Sequence, residues 1–70
     1  MQLFVNGEPR DRDAATLNEV WEAEASEREL ESPRGFAIAL NGRVVPRTLW
    51  GDTSIADGDR IEIVRAMSGG

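Results

Sequence analysis

Seventy residues hold one small domain, and ordering them costs on the order of 100 kcal/mol, so nearly every apolar side chain has to be buried. The chain contains no Cys, His, Lys or Tyr, which excludes disulfides, thiolate metal sites, a thiol nucleophile and a histidine general base. A net charge of −5 argues against a nucleic-acid partner, and no apolar run approaches the roughly 20 residues of a membrane span.

Met1–Val5 alternates and reads as a strand, and Asn6-Gly7 is a strong hairpin signal. The return at about Glu8–Arg12 is an edge strand, because Pro9 has no N–H to give a ladder. Thr16-Leu17-Asn18-Glu19 forms a capping box, after which Leu17, Val20, Trp21 and Ala25 share one helical face. Glu24 and Arg28 intrude on that face, so the predicted helix runs from Thr16 to about Ala25. Residues 16–31 carry six Glu against Arg28, while acids and arginines balance elsewhere. Such a face keeps a small protein soluble and would also steer a basic partner.

Ser26–Arg34 reads as a polar connection with Leu30 dropping back onto the core, ending in the loop Ser32-Pro33-Arg34-Gly35. Phe36–Leu40 is a second alternating strand, Asn41-Gly42 a second tight turn, and Val44-Val45 a short strand stopped by Pro46. Thr48–Asp59 is turn-rich, and Arg60–Arg65 is the last strand. Ala66-Met67-Ser68-Gly69-Gly70 has no hydrophobic pattern to pack, so the expected organisation is a folded domain over 1–65 and a flexible tail over 66–70. No charged-then-apolar leader opens the chain, and a cytoplasmic protein is expected.

One helix covers one face of a four- or five-stranded sheet as a two-layer α+β domain. The first and last strands alternate fully and lack Pro, which places them side by side and parallel in the middle, with the helix as their crossover. That order is a β-grasp: a mixed sheet packed on one helix, with a Gly-Gly tail. Alternation turns Met1, Leu3, Val5, Phe36, Ile38, Leu40, Ile61 and Ile63 toward Leu17, Val20 and Trp21. Gln2, Phe4, Ala37, Ala39, Glu62 and Val64 then face outward. Phe4, Ala37, Ala39 and Val64 are expected to form an apolar docking patch beside the tail. Trp50 and Pro46 are expected to lock the turn after the short strand. Arg65 and Arg47 are candidates to meet acids of a partner. Asp57 and Asp59 read as turn residues, since two acids around one Gly fall short of a cation cage, and no metal site is expected.

The chemistry is expected at the terminus. Five extended residues reach about 17 Å at 3.3–3.6 Å each, and Gly69 and Gly70, lacking Cβ, pass a narrow channel. The terminal carboxylate is ionised at neutral pH and resists acyl substitution until a partner activates it, most simply as an acyl-adenylate made from ATP. A chain this small hardly encloses a substrate cavity, so the catalysis belongs to the partner.

Met1-Gln2-Leu3-Phe4-Val5, the β-grasp pattern and the terminal Gly-Gly resemble the ubiquitin superfamily. Within it, Leu40-Asn41-Gly42-Arg43-Val44-Val45-Pro46-Arg47-Thr48-Leu49-Trp50 and Asp57-Gly58-Asp59-Arg60-Ile61-Glu62-Ile63-Val64 strongly resemble the ThiS family of sulfur carriers in thiamin biosynthesis. The likeness spans the chain and is weakest over Val20–Ser32, where the family has Leu pairs and a shorter connection. It implies a non-enzyme cosubstrate that binds no cofactor. A ThiF-like adenylating enzyme consumes ATP to adenylate Gly70. Sulfur from a cysteine desulfurase then makes the Gly70 thiocarboxylate, and a ThiG-like thiazole synthase accepts that sulfur. Gly69 and Gly70 are the reactive end, and Phe4, Ala37, Ala39, Val64, Arg65, Met67 and Ser68 are the expected partner contacts. Other readings are a carrier for molybdopterin or tRNA thiolation, a ubiquitin-like modifier, and a plain β-grasp binding module.

Overall fold

The structure, a computed structural model, describes residues 1–65. Strands β1 (Gln2–Val5) and β2 (Glu8–Asp11) form the first hairpin. Its two turn residues, Asn6 at φ 52° and Gly7 at φ 82°, take the left-handed angles that a two-residue turn requires. β2 is an edge of the sheet, where Pro9 is tolerated. Helix α1 (Leu17–Arg28) leads to β3 (Phe36–Leu40) and β4 (Arg43–Val45), and a 3-10 helix, Arg47–Asp52, precedes β5 (Arg60–Arg65). The sheet order is β2-β1-β5-β3-β4, with β5 parallel to β1 and antiparallel to β3. This is the mixed five-stranded β-grasp, and its first and last strands are neighbours inside the sheet as expected.

The capping box forms. Thr16 Oγ1 accepts the Glu19 N–H at 3.3 Å, and Glu19 Oε1 accepts the Thr16 N–H at 3.1 Å. The helix corrects the predicted end near Ala25, because it continues to Arg28. Glu24 is only 1% exposed, yet its carboxylate meets guanidinium groups at 2.6 Å from Arg12, 3.3 Å from Arg10 and 3.2 Å from Arg28. Two of those arginines flank the β2 edge, so the charge that seemed to break the apolar face is neutralised by another element. The helix then closes with Glu29 at φ 58° and the Leu30 N–H donating to Ala25 O at 2.8 Å, a reversal that folds Leu30 back onto the core as expected.

The core joins Leu3, Val5, Ile38, Ile61 and Ile63 of the sheet to Leu17, Val20, Trp21 and Ala25 of α1. Met1 is a correction: it is 40% exposed, with its ammonium donating to Arg12 O at 2.9 Å at the sheet's edge. Phe36 and Leu40 are partly buried. Trp50 does more than lock a turn. It donates from its indole Nε1 to Val45 O at 2.8 Å, and its buried ring centres 5.7 Å from that of Trp21. Ile55 joins it in the core, and neither Trp50 nor Ile55 was expected there. The turn-rich span has no periodicity from which an inward face could be read.

Candidate functional site

β5 carries the chain to its last five residues, and its environment defines the site. Ile61 and Ile63 point into the core, so Arg60, Glu62 and Val64 stand on the sheet face away from α1. Cross-strand register fixes their neighbours. Ala37 lies opposite Val64, and Ala39 lies between Glu62 on β5 and Val44 on β4. Phe4 lies opposite Arg60 on one side and Pro9 on the other.

The expected patch is therefore brought to one face but not into one cluster. Ala37, Ala39 and Val64 are contiguous, whereas Phe4 is level with Arg60, four residues before Val64 and about 13 Å away along the strand. Arg60 and Glu62 separate the two parts. Between Phe4 and Glu62 runs a depression of about 680 Å³, also lined by Asn6, Gly7, Gly42 and Arg60. Val44 takes the place in the patch expected for Phe4, and at 71% exposed it is the barest large apolar residue among those described. The signal for it lies in the sequence: a two-residue turn at Asn41-Gly42 puts Val44 opposite Ala39 and hence on Ala39's face.

Arg65 is also placed differently from the patch. It pairs with Phe36, on the α1 side of the sheet, and its guanidinium carbon sits 4.9 Å from that ring's centre. Phe36 in turn lies 5.3 Å from Trp21, so the last described residue is tied to the aromatic core. Arg47 opens the 3-10 helix and is exposed. Met67, Ser68, Gly69 and Gly70 lie outside the described residues.

The carboxylates of the last turn are spent on hydrogen bonds within the fold. Asp57 Oδ1 accepts the Gln2 N–H at 2.7 Å, and Asp59 accepts the Ala56 N–H at 2.8 Å and Asn41 Nδ2 at 3.0 Å. Among the described residues no group of acids could hold a metal ion, and no helix is long and apolar enough to cross a membrane.

The family model described as "ThiS family" matches residues 3–70. The chain belongs to the ThiS family. It is 35% identical to the sulfur carrier protein ThiS of Thermus thermophilus over 68 residues, which is 97% of this chain and 98% of that protein. The crystal structure of the thiamine biosynthesis protein ThiS from Geobacter metallireducens superposes with a TM-score of 0.76 at 32% identity, covering 100% of both chains. A solution structure of a thiamine biosynthesis protein from the same organism gives a TM-score of 0.68 at 32% identity, over 100% of this chain and 88% of the other. ThiS structures thus share this sheet and helix, and the family match runs through Gly69 and Gly70 to the end of the chain.

Proposed function

We propose that this ThiS-family chain carries sulfur for thiamin biosynthesis in the cytoplasm, as a protein cosubstrate whose working group is the Gly70 carboxylate. The observation that carries this reading is the family match continuing to the terminal Gly-Gly, together with near-complete coverage of a curated sulfur carrier. The composition supports it, since the chain has no Cys to hold sulfur and no His to act as a general base.

A ThiF-like adenylating enzyme binds the Val44, Ala37, Ala39 and Val64 face, and the tail from Arg65 through Met67 and Ser68 enters its active site. The Gly70 carboxylate attacks the α-phosphorus of ATP, which the partner holds, and pyrophosphate leaves. The outer sulfur of a cysteine-desulfurase persulfide displaces AMP to give an acyl disulfide, and a thiol on the donor side cleaves it, leaving the Gly70 thiocarboxylate and a disulfide. A ThiG-like thiazole synthase accepts that sulfur, and the carboxylate is restored. The carrier itself keeps no cofactor.

Intact mass spectrometry of the protein from thiamin-starved cells tests the reading. A species heavier by the difference between sulfur and oxygen, localised to Gly70, is the expected result. A terminus that stays an ordinary carboxylate when supplied with adenylating enzyme, ATP and sulfur donor overturns it.

A further inference from the structure

Both Asn-Gly turns spend their asparagine side chain on β5. Asn41 Oδ1 accepts the Arg60 N–H at 2.9 Å while its Nδ2 donates to Asp59, which holds the start of the strand. Asn6 holds the other end: its Oδ1 accepts the Ile63 N–H at 2.9 Å and its Nδ2 donates to Ile63 O at 3.2 Å. The backbone of β1 stops pairing with β5 at the bond from the Asn6 N–H to Ile61 O, because the chain turns away at Gly7. The Asn6 side-chain amide then presents the donor and acceptor that the next strand residue would have presented. It lengthens the parallel pairing by one step, to within two residues of Arg65.

We propose that Asn6 is a positioning residue for the reactive tail: its amide fixes the end of β5 and so sets where residues 66–70 leave the domain relative to the docking face. The inference rests on the carrier reading above. A hairpin turn explains the left-handed backbone of Asn6 but not its two side-chain bonds, since Gly satisfies φ 52° equally well. Without those bonds the stretch from Ile63 to Arg65 is held by β3 alone on one side. The end of β5 is then anchored on one side only and swings about β3, and the carboxylate spends less time at the nucleotide phosphorus.

The test is Asn6→Gly, which keeps the turn and deletes the amide, with Asn41→Gly as the control at the far end of the strand. The assay is ATP–pyrophosphate exchange with the adenylating enzyme of the same organism, with kcat and the KM for the carrier read separately and a thermal melt of each variant. Asn6→Gly is expected to lower kcat at least about tenfold with KM within about twofold, because Val44 and Val64 still dock. Asn41→Gly, brought to the same Tm, is expected to keep kcat. Amide exchange at Ile63 and Arg65 should speed up in Asn6→Gly alone. Equal kcat loss in both variants, or a normal kcat in Asn6→Gly, overturns the positioning role. Failure of the wild-type chain to support exchange overturns the carrier reading instead.

Discussion

Glu24 is the residue that α1 must accommodate to run past Ala25. A buried carboxylate is costly unless paired, and this one is paired three times, with Arg12 also donating to Glu27 at 2.6 Å. The packing is imperfect, since Arg12 Nε is buried without a hydrogen-bond partner and Arg10 Nε sits 3.3 Å from Glu24 off the hydrogen-bonding direction. Glu24→Gln leaves three guanidinium groups without that anion and should cost about 2–3 kcal/mol, below the usual penalty for a broken buried pair because the arginines reach solvent. An unchanged urea midpoint would show that the arginines hold α1 without it. Glu27 gives a pH signature. Its hydrogen bond from Arg12 holds the carboxyl below the ordinary carboxylate range. Those bonds, with Glu27 first and Glu24 second, raise Arg12 above its own range, so it stays charged throughout. The Glu27 contribution is complete above the ordinary carboxylate range and is lost as pH falls through the lower folded value. The Tm gap between wild type and Glu27→Gln should therefore be present at pH 7 and close as pH falls below the ordinary carboxylate range. A gap that persists unchanged to pH 2 would mean the pair adds nothing. None of this is legible from helical periodicity, which registers Glu24 as an intruder because its main partner, Arg12, follows a different strand.

The strands were the most legible elements, and the reason is geometric. Phe36–Leu40 and Arg60–Arg65 alternate without a break, so period two settles both their bounds and their faces. Sharing a face is weaker than touching, however, because contact depends on register. The parallel register of β1 on β5 sets Phe4 beside Arg60, not Val64. The Asn-Gly turn brings Val44 to Ala39. Docking is therefore expected to depend on position within one face. Val44→Asp and Val64→Asp replace residues 71% and 51% exposed, so the domain should still fold. Each should slow adenylation, since the contact with the activating enzyme would desolvate an unpartnered charge. Phe4→Asp, beyond Arg60 and Glu62, should slow it less. If all three are activated at the wild-type rate with wild-type melts, the adenylating enzyme does not dock on this face. The irregular span before β5 was the least legible, since Trp50 and Ile55 enter the core from a segment with no period to follow.

At the scale of the whole molecule, the described core and sheet are complete without the residues proposed to react. Among the described residues, the hydrophobic cluster runs from Leu3 to Ile63 and the strand pairings span residues 2–65. Stability and activation should therefore respond independently to changes at the terminus. Deleting Gly70, or adding one residue after it, leaves each core contact in place and should leave the Tm unchanged. Either change moves the carboxylate by one residue, about 3.5 Å, from the phosphorus it is proposed to attack. A misplacement of about 1 Å can cost on the order of a hundredfold in rate, so activation should fall below detection. Gly69→Ala preserves the length and adds only a Cβ, which separates reach from clearance. If the adenylating enzyme's channel is as narrow as two consecutive glycines imply, this variant should be severely impaired with its melt intact. ATP–pyrophosphate exchange beside a thermal melt reads both quantities on each variant. Full exchange by the Gly70 deletion would show that activation does not depend on where the carboxylate of Gly70 lies and would overturn its assignment as the working group.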